Sequence, residues 1–177
     1  MTQQFRKVWR SLGLQADVHK TVTLASLVEK EAAQPRERPR IAGVYLNRLA
    51  HSMKLDCDPT VIYAALVENR WRGTIYRSDL DRRSPYNTYQ RPGLPLGPIS
   101  NPGEASLAAA LEPERTGALY FVARPDGSGT HVFSETFDAH QKAVAAYRRG
   151  TAQSTSKATP RLAQPAQPAA RDRGPRR

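Results

Sequence analysis

Leu24, Leu27 and Val28 recur at the spacing of one helix face, and one further step along that face reaches Glu31, a carboxyl where an apolar side chain is expected. A carboxyl held against apolar walls resists ionisation. Its pKa rises toward the range in which it donates a proton near neutral pH and then takes one back, which is the behaviour of a general acid. Glu29, two residues earlier, points well away from the stripe and is expected to be solvated or paired with a surface cation. The competing reading is that the helix ends by Glu31 and its side chain simply reaches water. Pattern alone leaves both open.

Other reactive groups are sparse. His131 and His140 fall on different elements with no evident third ligand, so no metal and no cofactor is read from them. Cys57 stands alone, which excludes an internal disulfide and a Cys-rich zinc site.

The elements that must hold these groups follow from periodicity and punctuation. Phe5, Val8, Trp9 and Leu12 mark a helix over about 3–12, stopped by Gly13. The helix bearing Glu31 is expected over about 21–33. A third helix follows Pro35, with Ile41, Val44, Tyr45 and Arg48 in register. Asp58-Pro59 and Asn101-Pro102 each read as an N-cap followed by proline, opening helices to about Glu68 and Leu111. Between them, Arg70 to Gly103 is too rich in Pro and Gly for regular elements, and a long loop in a compact domain is usually functional. Leu119–Ala123 and Thr130–Phe133 read as strands joined through Asp126-Gly127, and a last helix spans about 138–148. Helices first and one hairpin late make a segregated α+β domain over 1–150.

Composition narrows the class. No stretch approaches the roughly 20 apolar residues of a membrane span, and the N-terminus has no apolar signal-peptide core. The formal charge is +11, but residues 151–177 carry six cations against Asp172, a net +5 in a Pro/Ala-rich tail that cannot bury enough apolar surface to order itself. With the charge concentrated there and no basic cluster on one helix, nucleic acid is not the expected partner.

The runs Leu24–Ala32, Ala42–Leu49, Asp58–Tyr63, Ser84–Tyr89, Gly93–Ile99 and Asn101–Gly103, in that order and spacing, resemble the MltG/YceG-like endolytic murein transglycosylases of bacteria. The likeness covers about residues 20–148, through Tyr120–Val122, Gly129, His131, Phe133 and His140. It implies a mainly helical, lysozyme-like catalytic domain with a late hairpin and a Pro/Gly-rich loop over the cleft. It also places the catalytic carboxylate on the second Glu of Glu-x-Glu, which is Glu31, with Glu29 the fallback. Cys57 stands where Thr or another small residue is expected, and the basic tail lies outside the pattern.

The reaction implied is cleavage of the bond between N-acetylmuramic acid and N-acetylglucosamine in peptidoglycan strands, with the sugar's own 6-hydroxyl as nucleophile. One carboxylic acid serves both proton transfers. A hydrolytic pair with Asp56 or Asp58 is weighed against this and set second, Asp58 being assigned to capping. Tyr86, Asn87 and Tyr89 offer rings and an amide suited to a sugar, with Asn47, Tyr63 and Glu29 as further substrate-binding candidates. The plainer reading of the loop is a proline-stiffened cap with tyrosines as its apolar underside. The resemblance further implies an N-terminal membrane anchor and a LysM-like domain ahead of this region, so the sequence is expected to be a fragment or truncated homologue. It implies work at the outer face of the cell membrane, with peptidoglycan synthases as partners. A murein-binding module that does not cut is the alternative, and the presence of Glu31 argues against it.

Overall fold

The computed structural model describes residues 17–157. The helix expected over 3–12 and residues 158–177 lie outside them.

Helix α1 (Val18–Glu31) is the centre of the domain. Asp17 caps it by accepting from the Lys20 N–H at 3.2 Å, and every residue from Thr21 to Val28 is buried. Such all-round burial follows from its neighbours: α2 (Arg38–Ala50), α3 (Asp58–Val67) and α5 (Glu104–Leu111) all pack on it. Leu27 and Val28 are fully enclosed, each worth about 1.5 to 3 kcal/mol of burial. The polar residues on this helix are satisfied locally. Ser26 Oγ donates to the Thr23 carbonyl and accepts the Ile99 N–H, tying the Pro/Gly-rich segment to the helix.

A 3-10 turn (Pro35–Glu37) leads into α2, whose Ile41, Val44 and Tyr45 face the core as their spacing requires. Gly43 lets α2 lie against the 114–116 segment, because a methyl group there would collide with the Glu114 carbonyl oxygen. Helix α3 begins at Asp58 with Cys57 in the capping position and no side-chain cap, so Asp58 does not cap. Likewise α5 opens at Glu104 behind Gly103, two residues beyond the expected Asn101 cap. The loop region contains one short helix, α4 (Arg77–Leu80), where the sequence suggested none. Asp79 orders this corner by accepting from Arg70, Arg72 and the Tyr76 N–H.

Strands β1 (Tyr120–Ala123) and β2 (His131–Ser134) form an antiparallel pair, Tyr120 opposite Ser134 and Ala123 opposite His131. Their turn uses Gly127 and Gly129 at positive φ. The domain is α+β as expected. Helix α6 (Phe137–Lys157) packs on this hairpin and starts one residue early, but it runs past 148 and past the boundary at 150 into the stretch read as disordered. Helix α1 stops at Glu31, two residues short of the expected end. Among the described residues no helix is long and apolar enough to cross a membrane.

Candidate active site

A cleft of about 550 Å³ opens between the C-terminal end of α1, the turn leading into α3, and a wall made by β1 and α6. Glu31, the last residue of α1, lines it. Both sequence readings are therefore half right: the helix does end at Glu31, yet the side chain enters a walled cleft. Tyr45 Oη donates to Glu31 Oε2 at 3.5 Å and Cys57 Sγ to the same oxygen at 3.8 Å. Burial pushes the Tyr45 hydroxyl and the Cys57 thiol up, so both stay protonated and serve as donors. Among the described residues no hydrogen bond reaches Oε1.

The pKa of Glu31 is raised, first by burial and then by the negative charge of Asp58; His131, Cys57 and Tyr45 oppose the rise only in part. Its place at the negative end of the α1 dipole acts in the same sense. A carboxyl in this setting holds its proton at higher pH than an ordinary glutamate and has an oxygen free for a substrate atom.

Two more carboxylates line the cleft, in different circumstances. Asp56 has φ +49°, a left-handed conformation that a non-glycine residue adopts at a cost, and its Oδ2 accepts from Arg48 Nη1 at 3.1 Å. Arg48 is itself buried and donates to the carbonyls of Lys54, Leu55 and Leu119, which locks the 54–56 turn against β1. Asp58 is exposed at the lip and accepts the Tyr89 hydroxyl on Oδ1 at 2.5 Å. Thr88, next to that tyrosine, accepts the Cys57 N–H at 3.0 Å and pairs with Thr60 Oγ1 at 2.9 Å, so the loop and the α3 entry form one rigid piece.

The far wall is aromatic. Phe137, His140, Val144 and Tyr147 present one stripe of α6, joined by Tyr120 and Phe121 of β1. His140 stacks on Tyr120 with ring centroids 5.1 Å apart, and burial holds its pKa down. From the sequence His140 is weighed for a metal and Tyr120–Val122 counted among the family-like runs, but no aromatic wall is read from them, although Phe137, His140, Val144 and Tyr147 follow the i, i+3, i+7, i+10 spacing that would have revealed such a face on the last helix.

The model of the YceG-like family matches residues 1–146. The chain belongs to the YceG-like family. An endolytic murein transglycosylase of Bacillus subtilis (strain 168) is 45% identical over 130 residues, 73% of this chain and 35% of that protein. One of Streptococcus pneumoniae serotype 2 is 37% identical over 108 residues, 60% of this chain and 20% of that protein. The chain thus spans about a third or less of these relatives. A crystal structure of a YceG-like protein from Listeria monocytogenes superposes with a TM-score of 0.66 at 42% identity, covering 78% of this chain and 43% of that one.

Within this YceG-like domain the residues singled out from the sequence separate into two groups. Glu31 and Tyr89 share the cleft. Glu29 is elsewhere: its Oε2 accepts from Ser106 Oγ at 2.5 Å and from the Gly103 N–H at 3.2 Å, and Oε1 pairs with Arg38 at 3.6 Å. These partners hold its pKa down, Ser106 foremost. The expected cation is there, but the larger role is fastening the start of α5. Asn47 spends its amide on the carbonyls of Thr116 and Ala118 at 2.7 and 3.0 Å, which joins α2 to the segment before β1. Tyr63 and Tyr86 pack edge to face at 4.8 Å, away from the residues that line the cleft.

Asn87 corrects the sequence reading most. It is 1% exposed, its Nδ2 faces the carbonyls of Asp79, Leu80 and Arg82 at 3.1, 3.0 and 2.7 Å, and its Oδ1 accepts the Tyr89 N–H. An amide so occupied has nothing left for a sugar. His131, one of the two histidines weighed for metal, pairs with Glu37 at 2.8 Å and fastens β2 to the 3-10 turn. Among the described residues no three His, Cys, Asp or Glu gather closely enough to hold a metal.

Proposed function

We propose that this domain cleaves peptidoglycan glycan strands as a lytic transglycosylase, with Glu31 as its acid and base. The observation that carries the reading is one partly buried carboxyl of raised pKa, pinned through Oε2 and lining a cleft with an aromatic wall. The names of its relatives supply the polymer.

In the reaction, Glu31 gives its proton to the glycosidic oxygen between N-acetylmuramic acid and N-acetylglucosamine. The C1–O bond breaks and its electron pair goes to that oxygen. The 6-hydroxyl of the same muramoyl residue then bonds to C1, and its proton returns to the Glu31 carboxylate. No water enters, so the new end is a 1,6-anhydro sugar and the enzyme is regenerated. Rings such as Tyr120 and Tyr147 offer faces on which pyranoses stack, holding the strand in register with Glu31. We further propose, on the family likeness, that the domain works at the outer face of the cell membrane alongside peptidoglycan synthases.

Mass spectrometry of products from purified glycan strands tests the proposal. Anhydro ends, one water lighter than reducing ends, are expected from the native chain and none from Glu31→Gln. Reducing ends would replace transglycosylation by hydrolysis, and no cleavage at all would leave a binding module.

A further inference from the structure

We propose that Asp58, held at the lip of the cleft by the Tyr89 hydroxyl, is the fixed negative charge of this site and faces the positive charge that grows on the sugar during cleavage. The inference deepens the reading above and rests on Glu31 being the acid.

Three carboxyls line the cleft, and their partners divide the work. Glu31 is held by neutral donors only, Tyr45 and Cys57. Asp56 is neutralised by Arg48 at 3.1 Å. Asp58 has no cation against it among the described residues; its Oδ1 meets a neutral phenol at 2.5 Å. Among the described residues it is therefore the one carboxylate of the cleft with no cation against it. The architecture serves to place it: the Thr60–Thr88–Cys57 N–H bonds fix the turn, and Asp58 is not used as a helix cap, so its carboxylate is left to the cleft.

Chemically this matters because breaking the C1–O bond with the electron pair leaving on oxygen puts positive charge on C1 and the ring oxygen before the 6-hydroxyl closes. A carboxylate already in place lowers the energy of that state with no reorganisation at the moment of reaction. It need not bond to C1 or activate water, so the anhydro product is retained. Two carboxyls, one an acid and one a charge, form a recurrent solution for glycosidic bonds.

The groups that act on Glu31 are Tyr45 of α2, Cys57 of the turn, Asp58 of α3 and His131 of β2, with Arg48 and Asp56 lining the same cleft. Tyr89 of the loop and His140 and Arg148 of α6 complete the charged or titratable lining. Of these, Asp58 is the charge that raises the pKa of Glu31. Removing it lowers that pKa. The acid form is lost as pH climbs through the pKa, so the alkaline limb of the kcat profile must move to lower pH.

The test compares the native chain with Asp58→Asn, Asp58→Glu and Glu31→Gln on purified glycan strands, with melting temperatures recorded for each. Asp58→Asn keeps the shape and the acceptor for Tyr89. It is expected to lower kcat by about ten- to a hundredfold with KM within about threefold, to shift the alkaline limb to lower pH, and still to yield anhydro ends. Asp58→Glu, which keeps the charge, is expected to keep the limb near its native position. A kcat for Asp58→Asn within about twofold of native, or a limb that moves equally in both variants, overturns the inference. If Glu31→Gln cleaves normally, the reading of the site falls and this inference with it; if Glu31→Gln is inactive while Asp58→Asn is not slowed, only this inference falls.

Discussion

Ser106 donates its hydroxyl to Glu29 Oε2 at 2.5 Å, so a side chain of α1 closes the N-terminal turn of α5. Ser106 is fully buried, so its hydroxyl is left orphaned if the carboxylate goes, while the exposed Gly103 N–H, which shares the same oxygen, turns to water. Glu29→Ala is therefore expected to cost about 1.5 to 3 kcal/mol in chemical denaturation while glycan cleavage per folded molecule stays native. Because the folded pKa of Glu29 is depressed, its contribution is present above the unfolded carboxylate pKa and is lost as pH falls through the folded value. The melting-temperature gap between native and Glu29→Ala should close in acid.

Glu31 has the opposite linkage. Its folded pKa is raised, so the folded state holds a proton that the unfolded state releases, and stability declines as pH rises from the unfolded carboxylate value through the folded one. Glu31→Gln removes that penalty. The variant should melt at or above the native temperature at neutral pH, by a margin that shrinks in acid, and should lose strand cleavage. A melting temperature well below native would mean that the carboxylate is structural.

Asn87→Ala strips the hydrogen-bond donor from three loop carbonyls and the acceptor from the Tyr89 N–H. It is expected to destabilise the domain by about 1 to 3 kcal/mol and, measured below its melting range, to cleave at close to the native rate. Lost turnover in a fully folded sample would restore Asn87 to the site.

Tyr147 stands on the aromatic wall and bears on strand binding. Its replacement by Ala should raise KM by about three- to tenfold, the equivalent of one stacking contact, with kcat little changed. An unchanged KM would show that glycans bypass the α6 face.

What the sequence alone determined is the part governed by local periodicity. The stripe Leu24, Leu27, Val28 predicts both the helix and the anomalous carboxyl at its end, and the Asp126-Gly127 turn predicts the hairpin, since helix faces and tight turns depend on residues a few positions apart. The separation of Glu29 from Glu31 was legible for the same reason. Which polar groups meet across long separations was not. Asp58 lies in a segment where side-chain identity is compatible with capping, fastening or binding, and the choice was made by contacts 28 to 31 residues away, Thr60 with Thr88 and Asp58 with Tyr89. Asn87, read as a sugar ligand, is consumed by carbonyls that its own loop exposes only once α4 has formed. The aromatic wall became part of the cleft because α6 docks on β1, a packing of elements that the spacing of Phe137, His140 and Tyr147 allows and only the tertiary structure selects.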